Sequence, residues 1–182
     1  LLDFGCGVGN GFFPLIDVFG YEKLRVNCID ISKTAIALVK KHSSFDEKFV
    51  DAHKCDIVNE EIPFEPSTAD FCLFLFVLSA LSPSEHLQVL TKLGDQMKKG
   101  GVVYFRDYGR YDMAQLRFAS RGNQKLADNF YVCKDKTRRY YFTIEEIEDM
   151  FNKIGFEKIE NKYMYRMIEN RKEEKRMYRV WI

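Results

Sequence analysis

Apolar and polar positions along the chain follow strand-like and helix-like patterns in alternation, which is typical of an α/β protein. Short apolar runs predict strands at residues 1–4, 24–31, 48–56, 69–76, 102–107, 156–168 and 175–182. Apolar residues at helical spacing predict helices at residues 11–19, 32–42, 83–98 and 143–154. Residues 108–142 show neither pattern and are expected to be irregular.

Signals at the ends of these segments support the same interpretation. Ser32 is a candidate N-cap, and Thr143 with Glu146 has the spacing of a capping box. Gly155 and the run 99–101, Lys-Gly-Gly, are candidate helix stops. The alternation predicts a parallel sheet with helices on both faces, followed by an antiparallel C-terminal hairpin whose charged turn is at residues 169–174.

Length and composition favour one globular domain over residues 1–182, with a substrate-recognition insert at about 108–142. The chain has 182 residues, of which 46% are hydrophobic and 30% charged, and a net charge of +1. No apolar run reaches the roughly 18 residues of a membrane span. The first residues, Leu-Leu-Asp-Phe-Gly, lack a methionine and read as the middle of a strand, so an N-terminal truncation is expected.

The cysteines and histidines favour a reduced, intracellular protein without a structural metal. Five cysteines are scattered along the chain without a C-x-x-C pair, and three histidines are equally scattered. An odd number of dispersed cysteines is not the pattern of a disulfide framework or of a zinc site. The expected compartment is the cytoplasm, with the nucleus as the alternative.

The strongest local signal is the glycine turn Asp3-Phe4-Gly5-Cys6-Gly7-Val8-Gly9-Asn10, between the first strand and the first helix. Glycines let the backbone bend tightly and approach a ligand without interference from a Cβ atom. A dinucleotide fingerprint requires G-x-G-x-x-G. The sixth position is Asn10 when counted from Gly5 and Phe12 when counted from Gly7. The spacing therefore disfavours a nicotinamide cofactor, and the D-x-G-x-G-x-G run resembles the first motif of S-adenosylmethionine-dependent methyltransferases.

Further candidate cofactor residues follow the predicted strands. Asp30 ends the second strand, where a carboxylate can accept hydrogen bonds from both ribose hydroxyls, and Ile31 follows it. Asp56 ends the third strand, where methyltransferases use a polar side chain on the adenine amino group. Ile57 and Leu75 would give the adenine apolar walls. A glycine turn, a strand-end aspartate and a capping aspartate also occur singly without a ligand.

The predicted insert concentrates cations and aromatic rings. Residues 106–139 contain nine Lys or Arg and four acidic residues, and residues 104–142 contain ten aromatic residues. Cations suit phosphates and rings suit an unstacked base, so this composition favours a nucleic-acid partner. A solvated loop with its own small hydrophobic cluster is an equal alternative.

Several runs resemble the methyltransferase-like family that makes 3-methylcytidine in transfer RNA. They are the glycine turn 3–10, residues 76–80 (Phe-Val-Leu-Ser-Ala), 103–109 (Val-Tyr-Phe-Arg-Asp-Tyr-Gly), 128–132 (Asp-Asn-Phe-Tyr-Val) and 137–142. The resemblance covers nearly the whole chain. It implies the Rossmann-like class I methyltransferase fold with a seven-stranded, mostly parallel sheet. It also implies S-adenosylmethionine as cofactor, S-adenosylhomocysteine as product and cytidine 32 of the tRNA anticodon loop as the methyl acceptor.

The sequence departs from this family pattern in the insert. The family tends to show Arg-x-Asp-Gly-Thr-Arg where this chain has Cys133-Lys134-Asp135-Lys136-Thr137-Arg138. One arginine and the glycine of the turn are therefore replaced. The family also has a segment before the glycine turn that helps to bind cofactor and tRNA, and the 182 residues begin after that point. Some members work with a seryl-tRNA synthetase or another partner protein.

The proposed chemistry assigns roles to residues at the end of the fifth strand and in the insert. The N3 atom of cytosine has a free lone pair, so methyl transfer needs alignment more than a general base. Asp107 is the candidate that stabilises the positive charge developing on the base and accepts a bond from its exocyclic amine, and Tyr108 is the candidate stacking ring. Candidates for contacts with the RNA are Arg106, Arg110, Arg117, Phe130, Tyr131 and Arg138. An ion pair between Arg106 and Asp107 is the structural alternative.

Two other function classes stay open at this stage. A methyltransferase for a small molecule or a protein would turn over without RNA, and its binding would depend little on salt. A non-catalytic binding subunit could keep the fold without the cofactor, although Asp3, Gly5, Gly7 and Asp30 argue against that interpretation.

Overall fold

A computed structural model describes residues 1–170 and 175–182, so most of the predicted charged turn at 169–174 lies outside the described residues. The chain forms two compact units. Unit 1 comprises Leu1–Leu75 and Gln88–Phe105, and unit 2 comprises Phe76–Leu87 and Arg106–Ile182. In the described part of the chain, no helix is long and apolar enough to cross a membrane. The same residues contain no group of three or more His, Cys, Asp or Glu side chains placed to hold a metal ion.

Unit 1 contains a five-stranded sheet with β1 at its centre. The strands are β1 (Leu2–Phe4), β2 (Val26–Asp30), β3 (Val50–Lys54), β4 (Ala69–Leu75) and β5 (Met97–Arg106), in the order β3-β2-β1-β4-β5. The pairs β1–β2, β2–β3 and β1–β4 are parallel. The strand order reverses at β1, because the chain first adds β2 and β3 on one side and then crosses to β4 on the other. In open α/β sheets, ligands bind beyond the carboxyl ends of the strands at such a switch point.

The helices that connect these strands confirm the predicted alternation. They are α1 (Phe13–Phe19), α2 (Lys33–Val39) and α3 (His86–Gln96), the last preceded by a 3₁₀ turn at Pro83–Glu85. The Ser32 hydroxyl accepts a hydrogen bond from the Ala35 amide, which confirms the predicted N-cap. The core of this unit is built from β1–β4 and from the buried faces of α1 and α2, including Phe12, Ile16, Ile36 and Val39.

The start of β5 corrects one prediction. The run 99–101 was expected to end a helix before a strand at 102–107, but α3 ends at Gln96 and β5 begins at Met97. Both glycines lie inside the strand. A Cβ atom on Gly101 would lie 3.1 Å from the carbonyl oxygen of Ala69 and 2.9 Å from the Met97 side chain, so glycine here permits close packing rather than a turn.

The insert in unit 2 is regular, in contrast to the predicted irregular stretch. It contains α4 (Met113–Arg121) and three short strands, β6 (Lys125–Ala127), β7 (Phe130–Val132) and β8 (Arg138–Tyr140). These strands form an antiparallel sheet in the order β6-β7-β8. Buried Phe118, Tyr131 and Tyr141 form its core, with Tyr108 and Cys133 packed against them. Strands of three residues are too short for an alternating pattern to reveal them.

The C-terminal part of unit 2 contains α5 (Ile144–Lys153) and an antiparallel hairpin of β9 (Met164–Asn170) and β10 (Lys175–Trp181). The hairpin is confirmed, but the strand predicted over 156–168 begins only at Met164. The hairpin forms its own two-stranded sheet. Its end joins the chain after β5, because the Asp107 amide donates to the Ile182 carbonyl (3.1 Å) and the Ile182 amide donates to the Asp107 carbonyl (3.0 Å). The seven predicted strands are therefore five in the sheet and two in the hairpin.

The start of α5 gives a testable stability prediction. The Thr143 hydroxyl accepts a hydrogen bond from the Glu146 amide (3.1 Å), and the Glu146 carboxylate accepts one from the Thr143 amide (2.7 Å). Thr143→Ala removes half of this capping box and should lower the free energy of unfolding by about 1 kcal/mol. Urea denaturation measures the change. The control Thr34→Ala, at an exposed position in α2, should stay within about 0.5 kcal/mol of the wild type.

Candidate functional site

The glycine turn after β1 leaves open space for a ligand. Gly7 has φ +54°, and a Cβ atom built on it would meet nothing within 4 Å. Gly9 has φ +90°, and its Cβ would lie 2.4 Å from the Phe13 ring. Gly7 therefore permits an approach from outside, whereas Gly9 permits close packing against α1. The amides of Gly5 and Cys6 both donate to the Ile29 carbonyl, at 2.8 and 2.9 Å, which ties the turn to β2.

Asp30 lies at the end of β2, beside the same turn. One of its carboxylate oxygens accepts a hydrogen bond from the Gly7 amide (2.9 Å), and the other accepts one from the Ser32 amide (2.8 Å). These bonds fix the carboxylate between the turn and the start of α2. Each oxygen keeps a lone pair, so the group can also accept two hydroxyl donors. The side chain of Ile31 is 65% exposed next to it.

Asp56 lies beyond β3 and organises its own loop. It accepts hydrogen bonds from the Val58 amide (3.0 Å) and from Nδ2 of Asn59 (2.9 Å). The bond from the Asn59 side chain is the main cause of its lowered pKa, with the Val58 and Asn59 amides adding to it. Ile57 is buried and Leu75, at the end of β4, is half-buried. The structure thus shows the capping role of Asp56, and its contact with an adenine stays a prediction.

Lys92 is a contributor to this loop that sequence reasoning missed. Its ammonium group donates to the carbonyls of Ile57 (3.1 Å), Val58 (3.0 Å) and Glu60 (2.8 Å). The lysine lies on α3, more than 30 residues away in sequence. An isolated lysine on a helix gives no signal for such a role, because the contact depends on how α3 packs in the folded unit.

Asp3 places a carboxyl group inside unit 1, at the start of the turn. Its side chain is 3% exposed, and burial, with the nearby charge of Asp30, raises its pKa to about 7. Among the described residues no hydrogen-bond donor lowers this pKa. A buried carboxylate of this kind is complementary to a cation. S-adenosylmethionine carries a sulfonium and an ammonium group and no phosphate, so the open face of Gly7, the fixed carboxylate of Asp30 and the buried Asp3 fit this cofactor.

The raised pKa of Asp3 makes stability depend on pH. The folded protein holds the Asp3 proton up to about pH 7, whereas the unfolded chain releases it near pH 4. The free energy of unfolding should therefore fall as the pH rises from about 4 to about 7, by at most about 4 kcal/mol from this group. Urea denaturation at pH 5 and pH 8 should show a smaller loss in Asp3→Asn than in the wild type. Equal losses in the two proteins would exclude Asp3 as the source, and exposed Asp95→Asn is the control.

Asp107, in unit 2, is fully buried. One carboxylate oxygen accepts a hydrogen bond from the Ser79 amide (2.9 Å) and the other accepts one from the Tyr108 amide (2.8 Å). Burial raises its pKa to about 6, while these bonds and the charge of Arg139 act in the opposite direction. Both carboxylate oxygens thus accept backbone amides in this conformation, and the predicted bond to an exocyclic amine would require exposure of the group.

Arg106 and Asp107 do not form the alternative ion pair. The Arg106 guanidinium donates to the sulfur of Met164 (3.8 Å) and lies 5.6 Å from the centre of the Trp181 ring. Within the described residues, the ion pairs include no contact between Arg106 and Asp107. Tyr108, which follows Asp107, is half-buried, and its ring centre lies 5.1 Å from that of Phe76.

Some of the side chains predicted to contact RNA are buried or bonded inside unit 2, and others are accessible. Arg110 donates to Glu146 (2.6 Å) and to the Tyr141 carbonyl (3.1 Å), and Arg138 donates to the Ala80 carbonyl (3.0 Å). Phe130 and Tyr131 are 6% and 4% exposed, which places both rings in core positions, so stacking on a base would need other rings. Arg117, on α4, is exposed.

Comparisons with known proteins also indicate a methyltransferase. The family described as "Methyltransferase domain" matches residues 1–161. The chain belongs to this methyltransferase family. Its glycine turn, Asp30 and Asp107 all lie in the matched part. The chain also aligns over 100% of its length with a Methanosarcina mazei SAM-dependent methyltransferase structure, covering 89% of that chain, with a TM-score of 0.72 and 18% identity, which shows the class I methyltransferase fold.

Two similar relatives have different names. The chain is 43% identical to the human tRNA N(3)-cytidine methyltransferase METTL2B, over 100% of this chain and 48% of the relative. It is 40% identical to O-methyltransferase 3 of Dictyostelium discoideum, over 100% of this chain and 42% of the relative. The chain thus spans about half the length of these methyltransferase relatives.

Proposed function

We propose that the protein is an S-adenosylmethionine-dependent methyltransferase that acts on N3 of cytidine 32 in the anticodon loop of tRNA. The observation that carries the proposal is the 43% identity to a tRNA N(3)-cytidine methyltransferase across the whole chain. The matched region covers the whole chain and therefore includes the insert. Full-chain identity of 38% to the tRNA N(3)-methylcytidine methyltransferase trm140 of Schizosaccharomyces pombe adds support.

The residues of unit 1 would bind the cofactor. S-adenosylmethionine supplies a methyl group made electrophilic by a sulfonium. The Asp30 carboxylate, already oriented by the Gly7 and Ser32 amides, would accept hydrogen bonds from the ribose hydroxyls. Gly7 would lie close to the ligand. The Asp3 carboxylate would attract the positively charged groups of the ligand. Ile31, Ile57 and Leu75 would provide apolar contacts to the adenine.

The residues of unit 2 would bind the acceptor base. The N3 lone pair forms a bond to the methyl carbon while the carbon–sulfur bond breaks and its electron pair stays on sulfur. The cytosine ring thereby gains a positive charge, and no proton must be removed first. Tyr108 would stack on the ring, and the buried Asp107 charge would stabilise the cationic product across a medium of low polarity.

The proposal also covers the molecules that the protein would bind. The substrate would be a tRNA, and a seryl-tRNA synthetase or another accessory protein would select among tRNAs. The excess of cations in the insert supports a polyanionic substrate.

The 40% identity to O-methyltransferase 3 favours a second candidate, transfer to a hydroxyl of a small molecule. The two candidates differ in their acceptor and can be separated directly. The protein is incubated with isotopically labelled S-adenosylmethionine and unmodified tRNA, and the RNA is digested to nucleosides. The proposal predicts label in 3-methylcytidine and no transfer when RNA is omitted. Label in another nucleoside would contradict the proposed acceptor, and turnover of a hydroxyl acceptor without RNA would favour the second candidate.

A further inference from the structure

Three arginines of unit 2 already have partners inside that unit. Arg110 is paired with Glu146 at 2.6 Å. Arg179, on β10, is paired with the fully buried Asp112 at 2.7 Å. Arg138 donates to the Ser82 hydroxyl at 2.8 Å and lies 3.9 Å from the Glu85 carboxylate. These three guanidinium groups stabilise the fold of the unit and are therefore poor candidates for contacts with a substrate.

Arg139, the next residue on β8, differs from them. Its side chain is half-buried, yet among the described residues no carboxylate lies within ion-pair distance of it. Its guanidinium carbon lies 4.4 Å from the centre of the Tyr108 ring, the shortest of the cation–ring distances in the described part of the chain. Stacking on a ring holds a guanidinium flat and leaves its N–H groups at the edge able to donate.

A buried hydroxyl lies beside this guanidinium. It belongs to Tyr141, whose side chain interacts with that of Arg139. Arg139 acts electrostatically on Tyr141, on Tyr108 and on the nearby Asp107. The charges of Asp107 and Asp135 also act on Arg139, but neither carboxylate forms an ion pair with it, so its N–H groups can still donate to an incoming anion.

We propose that Arg139 is a substrate-binding residue whose guanidinium, stacked on Tyr108, binds a phosphate of the RNA nucleotide presented to unit 2. This inference rests on the proposed function, because it takes RNA as the substrate. Under this proposal Tyr108 and Arg139 form one recognition element. The Tyr108 ring contacts a base of the RNA, and the Arg139 guanidinium contacts the phosphate backbone of the RNA. Exposed cations such as Arg121 would add only to the general attraction for RNA.

The salt dependence of RNA binding tests this proposal. Binding of a fluorescent RNA stem-loop with a cytidine in its loop is measured by anisotropy over a range of salt concentrations for the wild type, Arg139→Gln, Arg139→Lys and the control Arg121→Gln. Arg139→Gln should weaken binding by about 10- to 100-fold at low salt. It should also reduce the slope of log affinity against log salt by about one. Arg139→Lys should keep the slope but bind more weakly than the wild type, because an ammonium does not stack as a guanidinium does.

The outcomes separate the inference from the function on which it rests. Equal losses in Arg139→Gln and Arg121→Gln, with equal slopes, would overturn the role of Arg139 while the wild type still methylates the stem-loop. No RNA binding or methylation by the wild type would overturn both proposals. Binding of poly-glutamate that depends on Arg139, without a comparable effect on RNA, would overturn the assignment of RNA as the ligand. Thermal melts of the four proteins establish that each is folded.

Discussion

Asp107→Ala should reduce methyl transfer to RNA at least about 100-fold while the affinity for S-adenosylhomocysteine is unchanged. The loss of activity is expected because the buried carboxylate supplies the negative charge that the cationic product requires. The affinity is expected to stay unchanged because Asp107 belongs to unit 2, whereas Asp30 and the glycine turn belong to unit 1. Initial rates with saturating RNA and calorimetric binding of S-adenosylhomocysteine measure the two quantities.

Asp107 also holds two backbone amides, so charge and structure must be separated. Alanine leaves the amides of Ser79 and Tyr108 without their acceptor, at a cost of about 1–3 kcal/mol each. Asp107→Asn keeps a side chain of the same shape with one acceptor oxygen but removes the charge. If Asp107→Asn is as stable as the wild type and equally active, the charge of Asp107 has no part in the reaction.

Asp30→Ala should lower the affinity for S-adenosylhomocysteine at least about 100-fold, since a carboxylate that accepts two hydroxyl groups loses about 1.5–3 kcal/mol for each bond. The same change removes the acceptor for the Gly7 and Ser32 amides, so the turn itself becomes less well fixed. In a thermal melt, the wild type should gain about 5–10 °C with S-adenosylhomocysteine at about 100 times its dissociation constant.

Under the same conditions Asp30→Ala should show almost no shift, and the control Asp95→Ala, at an exposed position, should match the wild type. NADH should shift none of the three proteins, because the glycine spacing does not fit a dinucleotide. A wild-type shift with NADH instead of S-adenosylhomocysteine would contradict the assigned cofactor class.

Local sequence signals predicted the part of the site that depends on local geometry. The glycine turn, the end of β2 at Asp30 and the N-cap at Ser32 are set by neighbouring residues, through positive φ angles and capping bonds. The strand and helix alternation of unit 1 was predictable for the same reason, because each element carries its own periodic pattern.

Contacts between distant residues were not predictable in this way. The buried Asp107 accepts a hydrogen bond from the amide of Ser79, which is 28 residues earlier, and Lys92 donates to the loop after β3 from 35 residues away. Arg110 and Arg138 also have partners inside unit 2, which composition alone could not show, and their contact with RNA stays a prediction. The short strands of the insert are stabilised by the buried core of Phe118, Tyr131 and Tyr141 rather than by their own pattern.

A single substitution in the RNA, cytidine 32 to uridine, removes the proposed methyl acceptor. Methyl transfer from labelled S-adenosylmethionine is measured on two tRNA transcripts that differ only in having cytidine or uridine at position 32. We expect label in the cytidine transcript, recovered as 3-methylcytidine at that position, and background label in the uridine transcript. Equal label in both transcripts, or label recovered at any other position, would contradict the proposed acceptor.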